Sequence, residues 1–330
     1  MTYVPTGWVD EVLPAGERYD LLTNAGGALY SQVQIKQHDV PTVAGTPVNA
    51  AAMLHIENAV AAILNTMMPN RNVIIDGGFT INQHVYVSGA ALAAGVYGHD
   101  RWKAGAGGGN YSFTQLASPT TITIAASKTL IQVIENANVY GGTYILSWTG
   151  TCQARYAVNS ATPAGAYAAS PIVITGQTPG TTMSVEFGNG ASSGTLCNVQ
   201  LELGTVATPF EFRPFGQELA LCQRYCYAHA IGSNQIIGIG CYYNASELSV
   251  SIKFPVNMRT APSLLQNLTA DIYSINCNGA QDAFGTFVSN FTSTTMADLY
   301  SITGVSGTSG YAGFVYTNNA ICYLTFVAEL

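Results

Sequence analysis

From Tyr111 to the end of the sequence the chain is written in short apolar or alternating runs, each closed by Gly, Asn, Asp, Ser or Pro. The runs are Tyr111–Leu116, Thr121–Ala125, Leu130–Ile134, Gly142–Gly150, Gln153–Val158, Ile172–Thr175, Thr182–Phe187 and Cys197–Leu203, followed by 235–243, 246–254, 262–268, 271–277, 284–290, 297–303, 311–317 and 320–328. A turn signal about every 8–12 residues is the rhythm of antiparallel sandwiches and jelly rolls. The expected fold is mainly β: a jelly-roll sandwich over 70–215 and a second, C-terminal sandwich over 231–330.

Two segments break the rhythm. Residues 46–69 open with Thr46 and Pro47, a helix cap and a favoured first position, and close at Pro69. Between them Met53, Ile56, Val60, Ile63 and Met67 recur at spacings of three and four, a heptad seam. β-Branched residues in the seam favour a three-stranded bundle. The alternative is one amphipathic helix packed on its own domain. Residues 216–230 place Leu219, Cys222, Tyr225 and Cys226 at helical spacing and are expected to form a linker helix. Residues 1–45 carry Pro5, Pro14 and Pro41 with short β-like stretches and no core of their own.

Charge narrows the partners. Lys and Arg number 11, Asp and Glu 18, and charged residues make up 9% of the chain, against about 25% in an ordinary globular protein. Scattered cations leave no footprint for nucleic acid. No run of 18 apolar residues exists, so no membrane insertion is expected. Met1–Pro5 has neither a basic nor an apolar region, so no signal peptide is expected. The seven cysteines show no paired spacing and read as reduced thiols. A folded chain with so neutral a surface suits subunit burial or contact with neutral polymers such as glycans.

No motif compels a catalytic reading. The five histidines lack metal-ligand spacing, there is no G-x-S-x-G elbow, and Gly105–Gly109 lacks the Lys-Ser/Thr of a phosphate loop. No cofactor, metal or catalytic residue is expected. Glycan cleavage requires two carboxylates at a set separation; Asp76, Asp100, Glu135, Glu186 and Glu202 lie in the first β region. Trp102, in Asp100-Arg101-Trp102, is either a platform for a sugar ring or a core residue beside an ion pair. Better candidates for glycan contact are Tyr242, Tyr243 and Asn244 at a strand end, and Tyr311, Tyr316, Asn318 and Asn319 around the last hairpin. Tyr and Asn supply stacking surface and hydrogen bonds without charge. The competing reading of Asn318-Asn319 is a two-residue hairpin turn.

Gly45–Ala51, Asp76-Gly77-Gly78-Phe79, Asp100-Arg101-Trp102 and Gln200–Gly204 resemble segments of the tail-fiber and receptor-binding proteins of tailed bacteriophages. Gly45-Thr46-Pro47-Val48-Asn49-Ala50-Ala51 with Ile56-Glu57 resembles their helix start. Asp76-Gly77-Gly78-Phe79 with Gln83, Asp100-Arg101-Trp102, and Gln200-Leu201-Glu202-Leu203-Gly204 through Thr208-Pro209-Phe210-Glu211 resemble a jelly-roll module related to carbohydrate-binding modules. Glu218–Tyr225, the pair Met258-Arg259 and Ala328-Glu329-Leu330 extend the likeness through residue 330. The resemblance implies a homotrimeric virion protein, made in the bacterial cytoplasm, that attaches the particle to host cell-surface polysaccharide. It implies no enzyme. Residues 1–45 would bind other tail or capsid proteins, and 231–330 would form the tip. Related modules often hold a Ca²⁺ with an acidic residue where this chain has Thr80, so that ion is not expected. The alternative within the same resemblance is a purely structural head, collar or baseplate fiber.

Overall fold

The computed structural model describes residues 19–22, 34–37, 53–57, 59–60, 70–116, 119–268 and 270–330. The chain forms two compact units, Met1–Met67 and Met68–Leu330.

In the first unit β1 (Tyr19–Leu22) pairs antiparallel with β2 (Gln34–Gln37). Of the helix expected over 46–69, residues 53–57 and 59–60 are helical. Met53, Ile56 and Val60 are 45%, 44% and 48% exposed, so these three seam positions are uncovered. Ile63 and Met67 lie outside the described residues.

The second unit contains two sandwiches. The first is built from β3 (Lys103–Ala104), β4 (Tyr111–Ser112), β5 (Ile122–Ile124), β6 (Thr129–Ile134), β7 (Gly142–Thr149), β8 (Gln153–Ala157), β9 (Ala164–Ala168), β10 (Ile172–Gln177), β11 (Met183–Gly188) and β12 (Gly194–Leu203). They form sheets of order β10-β7-β12-β5-β4 and β3-β6-β11-β8-β9, so the chain crosses repeatedly between layers. Alternation places the core: Tyr144, Leu146 and Trp148 of β7 meet Val185 and Phe187 of β11 in one buried cluster. Trp148 Nε1 donates to the Cys152 carbonyl at 2.8 Å, which satisfies its buried N–H. At the Asp76-Gly77-Gly78 turn the Val199 N–H bonds the Gly77 carbonyl at 2.9 Å. The Val199 carbonyl fills the space a side chain at 77 would need, which is why glycine stands there.

Helix α1 (Phe215–Gln223) follows. The helix expected to reach residue 230 therefore stops early, and β13 (Cys226–Ile231) takes its second half. Strand pairing outweighs the helical spacing here: Cys226 pairs with Val327 and Tyr227 with Phe326 across the sheet.

The second sandwich adds β14 (Ile236–Asn244), β15 (Glu247–Lys253), β16 (Ser263–Gln266), β17 (Tyr273–Cys277), β18 (Ala280–Phe284), β19 (Val288–Thr292), β20 (Met296–Ser301), β21 (Ala312–Thr317) and β22 (Tyr323–Val327). A three-stranded sheet, β13-β22-β16, covers one face of a seven-stranded sheet, β18-β17-β21-β14-β15-β20-β19. Phe254, Tyr273, Phe284, Leu299 and Phe326 fill the space between. The expected final hairpin does not form, because β21 and β22 belong to different sheets. Asn318 and Asn319 sit in the corner that carries the chain from one sheet to the other.

Candidate functional site

The motif residues converge on the joint between the two sandwiches. Arg101 has φ +70, a left-handed conformation that few non-glycine residues adopt. That twist sends three neighbouring side chains to three partners. Asp100 accepts from the Gln83 N–H at 2.6 Å and from Gln83 Nε2 at 2.5 Å. Gln83 in turn donates to the Cys226 carbonyl at 2.7 Å and accepts from the Ala228 N–H at 3.2 Å, so it stitches the first sandwich to β13. Arg101 pairs with Glu329, donates to the Val133 carbonyl at 2.6 Å, and lies 3.7 Å above the Tyr225 ring. Trp102 stacks on Phe79 at 5.0 Å and donates to the Asp76 carbonyl at 2.9 Å.

Other pairs ring this joint. Arg224 donates to Glu135 at 2.8 and 3.1 Å, and Tyr225 Oη donates to the same carboxylate at 2.6 Å. Arg259 donates to the carbonyls of Ala328 and Glu329 at 2.7 and 2.8 Å. Burial pushes the Asp100 carboxyl up to about 6, and burial with the nearby Asp100 charge holds the Asp76 carboxyl well above the usual range. Glu329 goes the other way. Its desolvation is outweighed by Arg101 and His84, which keep its carboxyl low.

The joint is a sealed structural site. Trp102 is 0% exposed and cannot meet a sugar, so of its two readings the core one holds. The five carboxylates Asp76, Asp100, Glu135, Glu186 and Glu202 are all buried and each accepts from protein donors, Asp76 through Oδ1 alone. Glu186 accepts from Arg155 at 2.5 Å and Thr129 at 2.7 Å, and Glu202 accepts from Thr208 at 2.7 Å. Cys222 and Cys226 are buried, and desolvation raises both thiols well above their ordinary range. Among the described residues no group of three or more His, Cys, Asp or Glu side chains could hold a metal ion.

The outward candidates divide differently. Tyr242 is 2% exposed and points inward, donating to Asp282 at 2.9 Å with Gly307 against its ring; it is not available for ligand contact. Asn244 is consumed by its own turn, accepting from the Ser246 N–H at 2.9 Å and donating to Glu247 at 3.1 Å. Asn318 donates to the carbonyls of Asp271 and Tyr273 at 3.3 Å and to Ser274 Oγ, which ties down the corner. Asn319 accepts from the Ile321 N–H at 3.1 Å. Tyr243 and Tyr311 remain outward, 73% and 43% exposed, near one end of the β14–β21 pair, while Tyr316 is half-buried further along β21.

These tyrosines border a surface that sequence reasoning missed: the outer face of the seven-stranded sheet. Register sets Ala312, Cys241, Ser249, Tyr300 and Val288 side by side across five strands. A parallel row carries Ser251, Asp298 and Phe291. Asp298 accepts from Ser249 Oγ at 3.0 Å, Ser251 Oγ at 3.2 Å and Asn290 Nδ2 at 3.2 Å. Phe291 is 73% exposed beside it. One half-buried carboxylate surrounded by hydroxyls and an amide, edged by Tyr300 and Phe291, is chemistry suited to sugar hydroxyls and an apolar ring face. The signal was present in the alternation of Leu248-Ser249-Val250-Ser251-Ile252 and Ala297-Asp298-Leu299-Tyr300, but only strand order brings the two segments together.

No protein-family model and no curated protein matches the chain. Among solved structures it is similar to the N-terminal tandem CBM22 domain of Xyn10C from Paenibacillus barcinonensis, at 9% identity over 74% of this chain and 99% of that one, with a TM-score of 0.22. A TM-score that low carries no argument for fold or ligand. Among the described residues no helix is long and apolar enough to cross a membrane.

Proposed function

We propose that this chain is a non-enzymatic fiber protein of a tailed-phage virion that attaches the particle to neutral host-surface polysaccharide. The observation that carries the binding half is the patch on the outer face of the seven-stranded sheet where Tyr300 and Phe291 edge Asp298, Ser249, Ser251 and Asn290, with Tyr243 further along the same face. The virion half rests on the motif resemblance of residues 45–330. Residues 1–45 anchor the chain to other virion proteins in this reading, and the seam Met53, Ile56, Val60, Ile63 and Met67 holds three copies together.

Such a face is shallow, and one copy binds weakly. Three copies on a repetitive polymer gain roughly 10²–10⁴ in avidity if their spacing permits simultaneous contact. The test uses the full chain and a panel of purified bacterial surface polysaccharides, with binding read by surface plasmon resonance. The wild type binds at least one polymer, and Tyr300→Ala with Phe291→Ala abolishes that binding while leaving the chain folded, with a loss of stability of about 1 kcal/mol. Undiminished binding by the double variant overturns the assignment to this face. The structural-fiber alternative gains if no polymer binds and the intact particle adsorbs normally after the same substitutions. Sedimentation of the wild type decides the threefold reading: a mass of three chains supports it, and one chain at every concentration removes it.

A further inference from the structure

The three residues after β22 clasp the two sandwiches together. The Ala328 N–H donates to the Tyr225 carbonyl at 2.7 Å, and Arg259, in the loop between β15 and β16, holds the carbonyls of Ala328 and Glu329. The first sandwich grips the same stretch with a different set of groups. Tyr97 Oη and Lys103 Nζ both donate to the Leu330 carbonyl, the lysine at 2.9 Å. Arg101 pairs with the Glu329 carboxylate, and His84 Nε2 stands 3.6 Å from Glu329 Oε1. The three side chains are sealed from water: Arg101, Glu329 and His84 are 1%, 4% and 9% exposed. His84 is held in place by stacking on Tyr97, with ring centroids 5.6 Å apart. A separation of 3.6 Å suits an ion pair but is too long for a hydrogen bond, and among the described residues His84 Nε2 has no hydrogen-bond partner.

Charge does not balance in this space. Asp76, Asp100 and Glu329 bring carboxyl groups, while Arg101 supplies one guanidinium and gives it to Glu329. The neighbouring acids already have cations, Glu218 in Arg213 and Glu135 in Arg224. A buried carboxylate without a cation is costly enough that such a site takes up protons instead. We propose that the Ala328–Leu330 clasp is a pH-sensitive switch, shut by a proton on His84 that gives Glu329 a second cation and loosened when that proton leaves. Burial by itself lowers the His84 pKa, but Glu329 and Asp100 outweigh burial and the Arg101 charge and raise it above 6.5. The folded value lies above the unfolded one, so the contribution of His84 is complete below pH 6.5 and is lost as pH rises through the folded value. Asp100, pushed up to about 6 by burial, is largely ionised by then and adds to the pull on the His84 proton. Asp76, also held high by burial, faces Asp100 and Glu218. The Tyr97 and Tyr225 hydroxyls and the Cys222 and Cys226 thiols stay neutral through that window, because burial raises them above their ordinary ranges. Lys103 and Arg259 are spent on backbone carbonyls. Gln83 precedes His84 and stitches the same loop to β13, so loss of the proton acts on both ties between the sandwiches.

The experiment uses the full chain with isotope-labelled histidine. NMR follows the His84 imidazole from about pH 5 to about pH 9, and hydrogen exchange of the Ala328 N–H is read as a protection factor, which removes the intrinsic dependence of exchange on pH. A His84 midpoint above 6.5, with Ala328 protection falling roughly fivefold or more across that midpoint, supports the switch. Glu329→Gln is expected to lower the His84 midpoint, and His84→Gln to leave Ala328 protection level over the same range. A wild-type midpoint at or below 6.5 overturns the proposal, and so does protection that stays constant while His84 titrates. An equal fall in His84→Gln overturns it as well, because another group then works the clasp. If His84→Gln does not fold, the wild-type midpoint and protection decide the matter.

Discussion

The joint between the sandwiches and the outer face of the seven-stranded sheet use the same short supply of charge in opposite ways. The joint encloses Asp76, Asp100, Arg101, Glu135, Arg213, Glu218 and Glu329 below one-tenth exposure or nearly so. The outer face spans seven strands, with Asp298 on the strand next to one edge and Glu247 and Lys253 at the two ends of β15. A chain with 9% charged residues has thus placed many of them where water cannot reach. Buried ion pairs contribute little net stability, but breaking one is expensive. They hold the two sandwiches at a set angle rather than add much strength. The outer face keeps few charges, so a neutral polymer laid on it desolvates little charge beyond Asp298.

The largest effect should come from splitting a buried pair. Arg101→Met leaves the Glu329 carboxylate buried without its cation, and urea unfolding is expected to show a loss of about 3–5 kcal/mol. Adding Glu329→Gln to that variant should recover part of the loss. If Arg101→Met costs no more than a surface substitution, the joint is not what holds the sandwiches together.

Protonation gives the next effect. His99 bonds Tyr111 Oη at 2.7 Å and Gln115 at 2.9 Å, and burial lowers its pKa to about 4. Its folded value lies below the unfolded one, so its contribution is complete above pH 6.5 and is lost as pH falls towards 4. The loss should be on the order of 3 kcal/mol. Asp100 has the opposite sign. Its folded pKa of about 6 exceeds the ordinary 3.8 of an exposed aspartate, so the folded state binds the extra proton and loses stability as pH rises through that window. The two oppose each other between about pH 4 and 6. His99→Gln should therefore expose the Asp100 slope, with stability falling as pH rises across that range. An unchanged pH profile in His99→Gln would show that His99 does not titrate as its burial requires.

The outer face should behave in reverse. Tyr300→Ala is expected to move stability by about 1 kcal/mol or less, because Tyr300 is only half-buried. Polysaccharide affinity per site should nevertheless fall about tenfold, measured by calorimetry. Tyr243→Ala and Tyr311→Ala, at the margin, should cost about two- to threefold in affinity and under about 0.5 kcal/mol in stability. A Tyr300 variant that unfolds the protein and a Tyr243 variant that abolishes binding would together invert the comparison.

Much of the fold was legible in the chain. Gly142–Gly150 and Cys197–Leu203 were readable from residue type alone, because apolar residues recur at every second position of a strand, although Gln200 and Glu202 are buried as well. Trp148 could be placed inside by parity with Tyr144 and Leu146. Local spacing misled at residues 224–230. There Tyr225 and Cys226 continue a helical pattern, yet the partner strand, Tyr323–Val327, lies about 100 residues away in sequence and decides the conformation. Asn318-Asn319 misled for the same reason: turn chemistry identifies a turn but not the sheet to which the next strand returns.

The candidate site was half legible. Tyr243 and Tyr311 were found because they flank turns, whereas Tyr242, next in the chain, faces the core. Asp298, Tyr300 and Phe291 carried no local mark, since their significance comes from neighbours on other strands. The sequence by itself determined the β rhythm, the scarcity of charge, the heptad spacing and the set of motifs, all of which are properties of residues near one another in the chain. Only the tertiary structure decided that Asp100-Arg101-Trp102 is a buried joint, that Glu329 meets both Arg101 and His84, and that Ser249, Asp298 and Tyr300 share a face. Those outcomes depend on strand order and on which partner removes each side chain from water, and long-range pairing sets both.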